Sequence, residues 1–155
     1  MEMKDARQLA ASYLNVKPRT RMQLIKHLKS KGIDEDAALE AVDELEQYHF
    51  IDDVEYSKMY FRYGFDKGRG IERIRRELSQ KGVADDVIDE AYEQLEDVPD
   101  QYEAAMDIAE AMIDDADVKA MSYEERRKLQ AKVGRRLTSR GFSSDIVYDI
   151  INRIR

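Results

Sequence analysis

The chain has 155 residues, of which 38% are charged; it contains no cysteine and carries a formal net charge of −7 at pH 7. A chain of this length can bury a sizeable core in one domain, and the lack of cysteine excludes disulfides, a thiol nucleophile and a thiolate metal site. Because the sequence starts with charged residues and no apolar run approaches the ~20 residues that span a bilayer, we expect no signal peptide, no membrane contact and a cytoplasmic location.

Three segments of the sequence share one pattern, in which a leucine is followed by two polar residues, a cation, a glycine and an apolar residue. The segments are 28–33, 78–83 and 137–142. In a Schellman ending of a helix, the glycine is left-handed and the next apolar residue contacts the leucine. A helix-sized amphipathic segment stands on each side of every glycine, and another lies upstream of each pair. The sequence therefore predicts an all-α fold of tandem three-helix repeats, with the domains 1–50, 51–98 and 99–155.

The first repeat is predicted to contain three amphipathic helices. Apolar residues at helical spacing mark the first helix over 6–16, and Thr20 with Gln23 forms a capping box at the start of the second. The third helix follows Gly32 and runs to about Tyr48. The residues expected to face the core are Leu9, Ala10, Tyr13, Leu14, Leu24, Ile25, Leu28, Ala38, Leu39, Val42 and Leu45.

The second repeat begins with a helix for which Asp52 or Asp53 is the expected N-cap. Gly64, Gly68 and Gly70 mark the loop that is expected to follow, and the next two helices lie within 71–95. The tyrosines of the first helix are expected at the core or its boundary rather than in a base-stacking platform. The expected core and boundary residues are Tyr56, Met59, Tyr60, Tyr63, Ile71, Ile74 and Leu78.

The third repeat is predicted to begin after Pro99, and Ser122 with Glu125 forms a second capping box. Its glycine follows that of the second repeat by 59 residues, whereas the first two glycines are 50 apart. We expect most of the extra residues in the acidic connection 114–121. The expected core residues are Tyr102, Ala105, Met106, Ala109, Met112, Ile113, Leu129, Val133, Leu137, Phe142, Ile146, Val147, Ile150, Ile151 and Ile154.

Cations recur at equivalent positions when the repeats are overlaid on their glycines. Basic stretches alternate with acidic ones along the chain, so the net charge conceals local basic faces. Two readings are open: a solvated face with cations favoured near helix C-termini, or a surface for a polyanion or protein partner. The first covers Lys31, Lys81 and Arg140. The candidate partner- or DNA-binding residues are Lys67, Arg69, Arg73, Arg76, Lys26, Lys132 and Arg135.

The sequence contains no recognisable catalytic or cofactor-binding pattern. His27 and His49 lie on different predicted helices and belong to no metal-spaced set. The glycines between Gly64 and Gly70 follow a helix and not a strand, so they do not form a dinucleotide or phosphate loop. We therefore expect a protein that is not an enzyme and that holds no cofactor and no metal.

The sequence resembles the RecX regulatory proteins, bacterial modulators of the RecA recombinase. The resemblance covers nearly the whole chain and depends on the order and spacing of several short segments, of which the central repeat is the most specific. These are Tyr13-Leu14, Arg19-Thr20, Leu24 to Gly32, Phe50 to Asp53 with Tyr56, Gly68 to Gly70, Arg73 to Val83, and Leu137 to Phe142.

The resemblance implies an elongated, curved array of three-helix repeats that acts in homologous recombination, DNA repair and the SOS response. It implies a monomer that binds the RecA–single-stranded DNA filament and inhibits recombinase and ATPase activity, by blocking filament growth or favouring disassembly. The acidic segment 85–117 argues against tight independent DNA binding. Two alternatives stay open: a helical module that binds nucleic acid without RecA, and a helical-repeat scaffold for another protein.

Overall fold

The computed structural model describes residues 2–154, apart from the side chains of residues 2–4 and 115–117. This part of the chain forms ten helices and no strand, which confirms the predicted all-α class. The helices are α1 Glu2–Val16, α2 Arg21–Ser30, α3 Glu35–Gln47, α4 Asp53–Asp66, α5 Ile71–Gln80, α6 Asp85–Glu93, α7 Gln101–Met112, α8 Asp115–Ala120, α9 Tyr123–Arg140 and α10 Ser144–Asn152.

The helices belong to two compact units. The first unit comprises Met1–Tyr60 and Glu77–Leu95, and the second comprises Phe61–Arg76 and Glu96–Arg155. Helices α4 and α5 each contribute residues to both units. None of the helices described is long and apolar enough to cross a membrane.

The core of the first unit lies between α1, α2 and α3. Leu24 and Leu28 of α2 and Val42 of α3 are fully buried, as predicted. Helix α1 contributes the small residues Ala6 and Ala10, which are also fully buried and allow its backbone to approach the other two helices. The Thr20 capping box predicted for α2 is confirmed, because Thr20 accepts the Gln23 N–H at 3.1 Å and the Gln23 side chain accepts the Thr20 N–H at 3.1 Å.

Helix α4 presents a different face to the core from the one expected. Its N-cap is Asp52, whose carboxylate accepts the backbone N–H groups of Val54 and Glu55 at 3.0 and 3.2 Å. The buried positions of the helix are Ser57, Phe61 and Gly64, which share one face at spacings of four and three. Tyr56 and Tyr60 are half-buried at the boundary, as predicted, but Met59 and Tyr63 are exposed.

The core of the second unit lies between α7, α9 and α10. Ala105 and Ala109 of α7, Val133 and Leu137 of α9, and Ile150 of α10 are buried together. The predicted capping box of α9 is confirmed, with Ser122 as N-cap. Helix α9 has 18 residues, whereas α5 has 10, and the connection 113–122 has ten residues, whereas the connection 67–70 has four. The extra length of the third repeat is therefore divided between this helix and the connection, where most of it was expected. The connection itself contains α8.

The three predicted Schellman endings are confirmed by their backbone hydrogen bonds. In each, the apolar residue after the glycine donates its N–H to the leucine C=O five residues earlier, and the glycine is left-handed. The bonds run from Ile33 to Leu28 at 3.1 Å, from Val83 to Leu78 at 3.1 Å and from Phe142 to Leu137 at 3.2 Å, with φ of 88° at Gly32, 89° at Gly82 and 98° at Gly141.

Two further helices end in the same way, although neither carries the repeated pattern of leucine, two polar residues, a cation, a glycine and an apolar residue. At the end of α4, Arg69 donates its N–H to the Gly64 C=O at 2.9 Å, and Gly68 has φ 76°. At the end of α3, the Phe50 N–H donates to the Leu45 C=O at 2.9 Å. The left-handed residue there is His49, with φ 63°.

Candidate functional site

In the second unit, the loop before α5 packs against the C-terminal end of α9. The Gly70 N–H donates to the Arg140 C=O at 2.7 Å, and the Glu72 N–H donates to the Gly141 C=O at 3.1 Å. Gly141 lies directly against Arg73: a Cβ added to the glycine would be 2.6 Å from the Arg73 backbone nitrogen and would also overlap the Arg73 Cβ. Backbone atoms therefore fix the position of Arg73 relative to the end of α9.

Several cations meet at this contact. The Arg140 guanidinium donates to the Lys67 C=O at 3.1 Å. The Lys67 ammonium and the Arg69 guanidinium lie 5.6 and 5.2 Å from the centroid of the Tyr63 ring, within the range of a cation–π interaction. The contact therefore gathers Lys67, Arg69, Arg73 and Arg140 at one place.

Two more arginines extend this group along their helices. Arg76 follows Arg73 by three residues on α5, and Arg136 precedes Arg140 by four on α9, so each pair shares a helix side. Both Arg76 and Arg136 are exposed. We call the whole group the basic junction; it consists of Lys67, Arg69, Arg73, Arg76, Arg136 and Arg140.

The structure thus brings together three of the predicted site residues, namely Lys67, Arg69 and Arg73, and Arg76 lies about one turn further along α5. Lys132 is exposed on α9 and continues the side marked by Arg136 at a spacing of four residues. Arg135 is exposed on the flank of the same helix. Whether any of these residues contacts a partner stays a prediction.

Arg136 and Arg140 belong to the basic junction but are absent from the candidate binding residues predicted from the sequence. Arg140 fits the pattern of a cation that ends a helix, and this pattern alone does not indicate which carbonyl its guanidinium reaches. The signal that could have identified it is the recurrence of the repeat. A cation precedes each of the glycines Gly32, Gly82 and Gly141, and in two of these places it belongs to a contact with another helix start.

Lys26, the remaining predicted site residue, belongs to the first unit, which contains a contact of the same kind. There the Thr20 hydroxyl donates to the Lys81 C=O at 2.7 Å. A Cβ added to Gly82 would be 2.5 Å from the Met22 Cγ, so this glycine also lies against the start of the neighbouring helix. A pocket beside the contact is lined by Met22, Gln23, Lys26, Tyr60, Glu77, Gln80 and Lys81.

Cations and a neighbouring ring lie over Tyr13 and Tyr60 in the first unit. The Tyr13 ring has the His27 ring 3.8 Å from its centroid and the Arg19 guanidinium 3.8 Å from it, which is possible only on opposite faces. The Lys81 ammonium lies 5.3 Å from the Tyr60 centroid. Burial and the nearby cations Lys31 and Arg19 lower the pKa of His27. Tyr13 therefore has both faces covered and does not offer an open face for a nucleic-acid base.

Among the residues whose side chains are described, no group of three or more His, Asp and Glu is placed to hold a metal ion. The polar chemistry of the site is thus that of guanidinium, ammonium and backbone groups. Such groups bind anionic oxygens, in bidentate fashion where the donor is arginine.

Two family models match the chain. The model described as RecX, first three-helix domain, matches residues 6–45, and the model described as RecX, second three-helix domain, matches residues 52–91. Together they cover just over half of the chain. The first match contains most of α1, α2 and α3, and the second contains α4, α5 and most of α6.

Named relatives and solved structures are similar over most of the chain. The regulatory protein RecX of Clostridium botulinum is 32% identical over 133 residues, which are 86% of this chain and 60% of that relative. The regulatory protein RecX of Lactobacillus delbrueckii subsp. bulgaricus is 33% identical over 144 residues, which are 91% of this chain and 50% of the relative. The chain therefore spans only part of the length of these relatives.

The crystal structure of RecX from Lactobacillus salivarius superimposes with a TM-score of 0.80 at 27% identity, and the match covers 99% of this chain and 96% of that one. A second crystal structure, of a regulatory protein RecX, has a TM-score of 0.76 at 28% identity and covers 98% of this chain and 72% of that one. Both matches extend well beyond the two family models, into the third group of helices.

Proposed function

The chain belongs to the RecX family, and from this we propose that it is a regulator of RecA that binds the RecA–single-stranded DNA filament through the basic junction. Binding inhibits recombinase and ATPase activity, because a bound regulator blocks filament growth or favours disassembly. The protein acts as a monomeric interaction partner in the cytoplasm, and not as an enzyme.

The single observation that carries the proposed site is the meeting of four cations at one contact, with Arg76 and Arg136 exposed about one helical turn away, in a chain whose net charge is −7. A filament of protein on single-stranded DNA presents phosphates and acidic side chains, and guanidinium groups bind both kinds of oxygen. Such a cluster also raises the rate at which a polyanionic partner is encountered.

The backbone of the basic junction is already ordered before any partner arrives. Gly70 and Glu72 are hydrogen-bonded to the end of α9, and Arg140 is bonded to the loop carbonyl of Lys67. Side chains that start from fixed backbone positions lose less conformational freedom on binding, and this favours affinity. The contact therefore serves both the packing of the second unit and the presentation of its arginines.

The test is the ATPase activity of RecA on single-stranded DNA, titrated with the wild-type protein and with the double variant Arg76→Glu/Arg136→Glu. Both positions are exposed, so the substitutions should leave the fold intact. We expect wild-type protein to inhibit hydrolysis and the variant to need about tenfold more protein for the same inhibition, since a loss of about 1.4 kcal/mol in binding is a factor of ten.

The matched control is Lys119→Glu/Arg127→Glu, which makes the same change in net charge at exposed positions outside the basic junction. It should inhibit like the wild type. Equal weakening by both double variants would mean that only the total charge matters. No inhibition by the wild-type protein would reject the RecA assignment itself.

A measurement of binding to single-stranded DNA in the absence of RecA distinguishes the proposed function from its alternative, a nucleic-acid-binding module that does not need RecA. Such a module predicts an affinity that falls steeply with salt, because each phosphate contact releases counterions. It also predicts that reversal of Arg73, Arg76, Lys132 and Arg135 to Glu abolishes binding. Tight, salt-sensitive binding of this kind, together with unchanged RecA activity, would favour the alternative.

A further inference from the structure

The end of α3 differs in two ways from the Schellman endings of the three repeated segments. Its left-handed residue is His49, whereas glycine occupies this position at the ends of α2, α4, α5 and α9. The apolar residue that follows, Phe50, is 69% exposed. Its counterparts Ile33, Val83 and Phe142 are 8%, 3% and 3% exposed. The hydrogen bonds of the motif are present, but its usual hydrophobic contact is replaced by an exposed aromatic ring.

A second aromatic residue lies on the other side of the turn. Tyr48 is 64% exposed, so two large rings flank a residue with an unfavourable backbone conformation. Non-glycine residues in the left-handed region are uncommon, and such outliers cluster at functional sites. Exposed aromatic residues of this size are the side chains that most often anchor protein–protein contacts.

An acidic pocket adjoins this turn in the first unit. It is lined by Glu46, His49, Ile51, Asp52, Asp53, Val54 and Val87. Arg21 lies at this side of the unit, where it pairs with Asp43 and Glu46, and its backbone N–H donates to Asp53 at 2.9 Å. Carboxylates therefore outnumber the cation beside the two exposed rings.

The electrostatics of Asp53 agree with this excess of negative charge. Burial is the main cause that raises the pKa of Asp53, and the carboxylates of Glu46 and Asp52 raise it further, whereas the backbone N–H and the positive charge of Arg21 lower it. A cation brought into the pocket would relieve this repulsion. A polyanion such as a nucleic acid would instead be repelled by it.

We propose that Tyr48, Phe50 and the adjacent acidic pocket form a docking surface for an arginine-bearing segment of another protein. A guanidinium group can lie over an exposed ring and donate to a carboxylate at the same time, which suits arginine better than lysine. The surface belongs to the first unit and shares no residue with the basic junction of the second. The proposal does not depend on the proposed function in RecA regulation.

The test measures the binding of a fluorescein-labelled peptide of alternating arginine and serine to the full chain by fluorescence anisotropy, without RecA or DNA. The double variant Tyr48→Ala/Phe50→Ala should bind about tenfold more weakly, within the range found when aromatic anchors are truncated. The variant Glu46→Gln should bind the peptide a few-fold more weakly, because it removes one carboxylate of the pocket.

The matched control is Tyr123→Ala/Tyr148→Ala, which removes two tyrosines that are 73% and 66% exposed in the second unit and leaves the net charge unchanged. This control should bind the arginine peptide like the wild type. Equal losses in the two double variants would overturn the proposal, because binding to the acidic chain would then be general. A peptide with citrulline in place of arginine should not bind, and its binding would also overturn the proposal.

Sedimentation velocity of the protein alone provides the last discriminating measurement. We expect the wild type and Tyr48→Ala/Phe50→Ala to sediment alike over a range of concentrations. Self-association of the wild type that is abolished in this double variant would show that the rings bind a second copy of the chain, and would overturn the assignment to a different protein.

Discussion

In the first unit the Thr20 hydroxyl donates to the Lys81 C=O, whereas in the second unit the Gly70 N–H donates to the Arg140 C=O. Overlay of the repeats on their glycines places Thr20 with Gly70 and Lys81 with Arg140. Both contacts thus join the start of one second helix to the Schellman end of the next. A side-chain donor performs in the first unit what a backbone donor performs in the second.

The side chains around the two contacts differ in charge. Lys26, Glu77 and Lys81 beside the first correspond to Arg76, Arg136 and Arg140 beside the second. Because hydrogen bonds to backbone carbonyls and close glycine contacts hold both together, the surrounding side chains can change without loss of packing. The first contact therefore carries mixed charge, whereas the corresponding positions beside the second all carry arginine.

The largest loss of stability is expected when the glycines at these contacts are replaced by alanine. Gly141→Ala should lower the free energy of unfolding by about 3 to 5 kcal/mol, because a left-handed alanine is strained and its Cβ would overlap the backbone of Arg73. Gly82→Ala should cost somewhat less, since its Cβ would overlap the Met22 Cβ and Cγ while the Met22 Cα stays at 3.8 Å, but the Met22 Cβ cannot move without its backbone. Urea denaturation followed by circular dichroism measures the differences.

Gly32→Ala is the control in this series. Gly32 has φ 88°, similar to the other two glycines, but an added Cβ would meet nothing within 4 Å. Only the backbone strain of about 1 to 2 kcal/mol should therefore appear. Equal losses for all three variants would show that the conformation alone sets the cost, and that the close contacts of Gly82 and Gly141 are not as described.

A smaller effect is expected from the side-chain donor that distinguishes the first contact. Thr20 is fully buried, and its hydroxyl both accepts the Gln23 N–H and donates to Lys81. Thr20→Val keeps the shape but removes both bonds, and should lower the free energy of unfolding by about 2 to 3 kcal/mol. Thr20→Ser retains the hydroxyl and should recover most of this loss. Thermal unfolding of the pair checks the prediction, and equal stability of the two variants would contradict it.

At the Schellman ending of α3, a substitution is expected to increase the stability of the fold. His49→Gly should raise the free energy of unfolding by about 0.5 to 1 kcal/mol, because the relief of the left-handed conformation exceeds the added freedom of glycine in the unfolded chain. His49→Ala should give no gain, since alanine is strained at the same φ. A loss of stability in His49→Gly would mean that the imidazole makes a favourable contact in the first unit.

The parts of the fold that depend on residues close together in the sequence could be predicted. The Schellman glycines and the capping boxes of Thr20 and Ser122 are examples, because each requires particular residues at fixed local spacings. The family could be identified for the same reason, from the order of these short segments.

Local spacing could not predict which face of α4 is buried or which residues the basic junction contains. Ser57 and Gly64 face inward because a small residue fits there: a Cβ on Gly64 would lie 2.5 Å from the Ile74 Cγ1. Small residues give no hydrophobic signal, so the larger Met59 and Tyr63 were wrongly placed at the core or its boundary. Arg140 reaches Lys67 across 73 positions of the chain, and no local pattern specifies such a bond.

The smallest predicted effect concerns His27. It stands five residues before Gly32, and the equivalent positions in the other two repeats are Glu77 and Arg136. The pKa of His27 lies below its ordinary value of 6.5, chiefly because of burial against Tyr13 and then because of Lys31 and Arg19. The folded chain therefore binds fewer protons than the unfolded chain below pH 6.5, and stability falls as the pH is lowered through the folded pKa.

His27→Phe keeps a ring against Tyr13 but cannot titrate, so its free energy of unfolding should fall less than that of the wild type on acidification. Urea denaturation of both proteins above and below pH 6.5 measures this difference. The same loss in both would assign the pH dependence to other groups, and the first repeat would then not differ from the others in its response to acid.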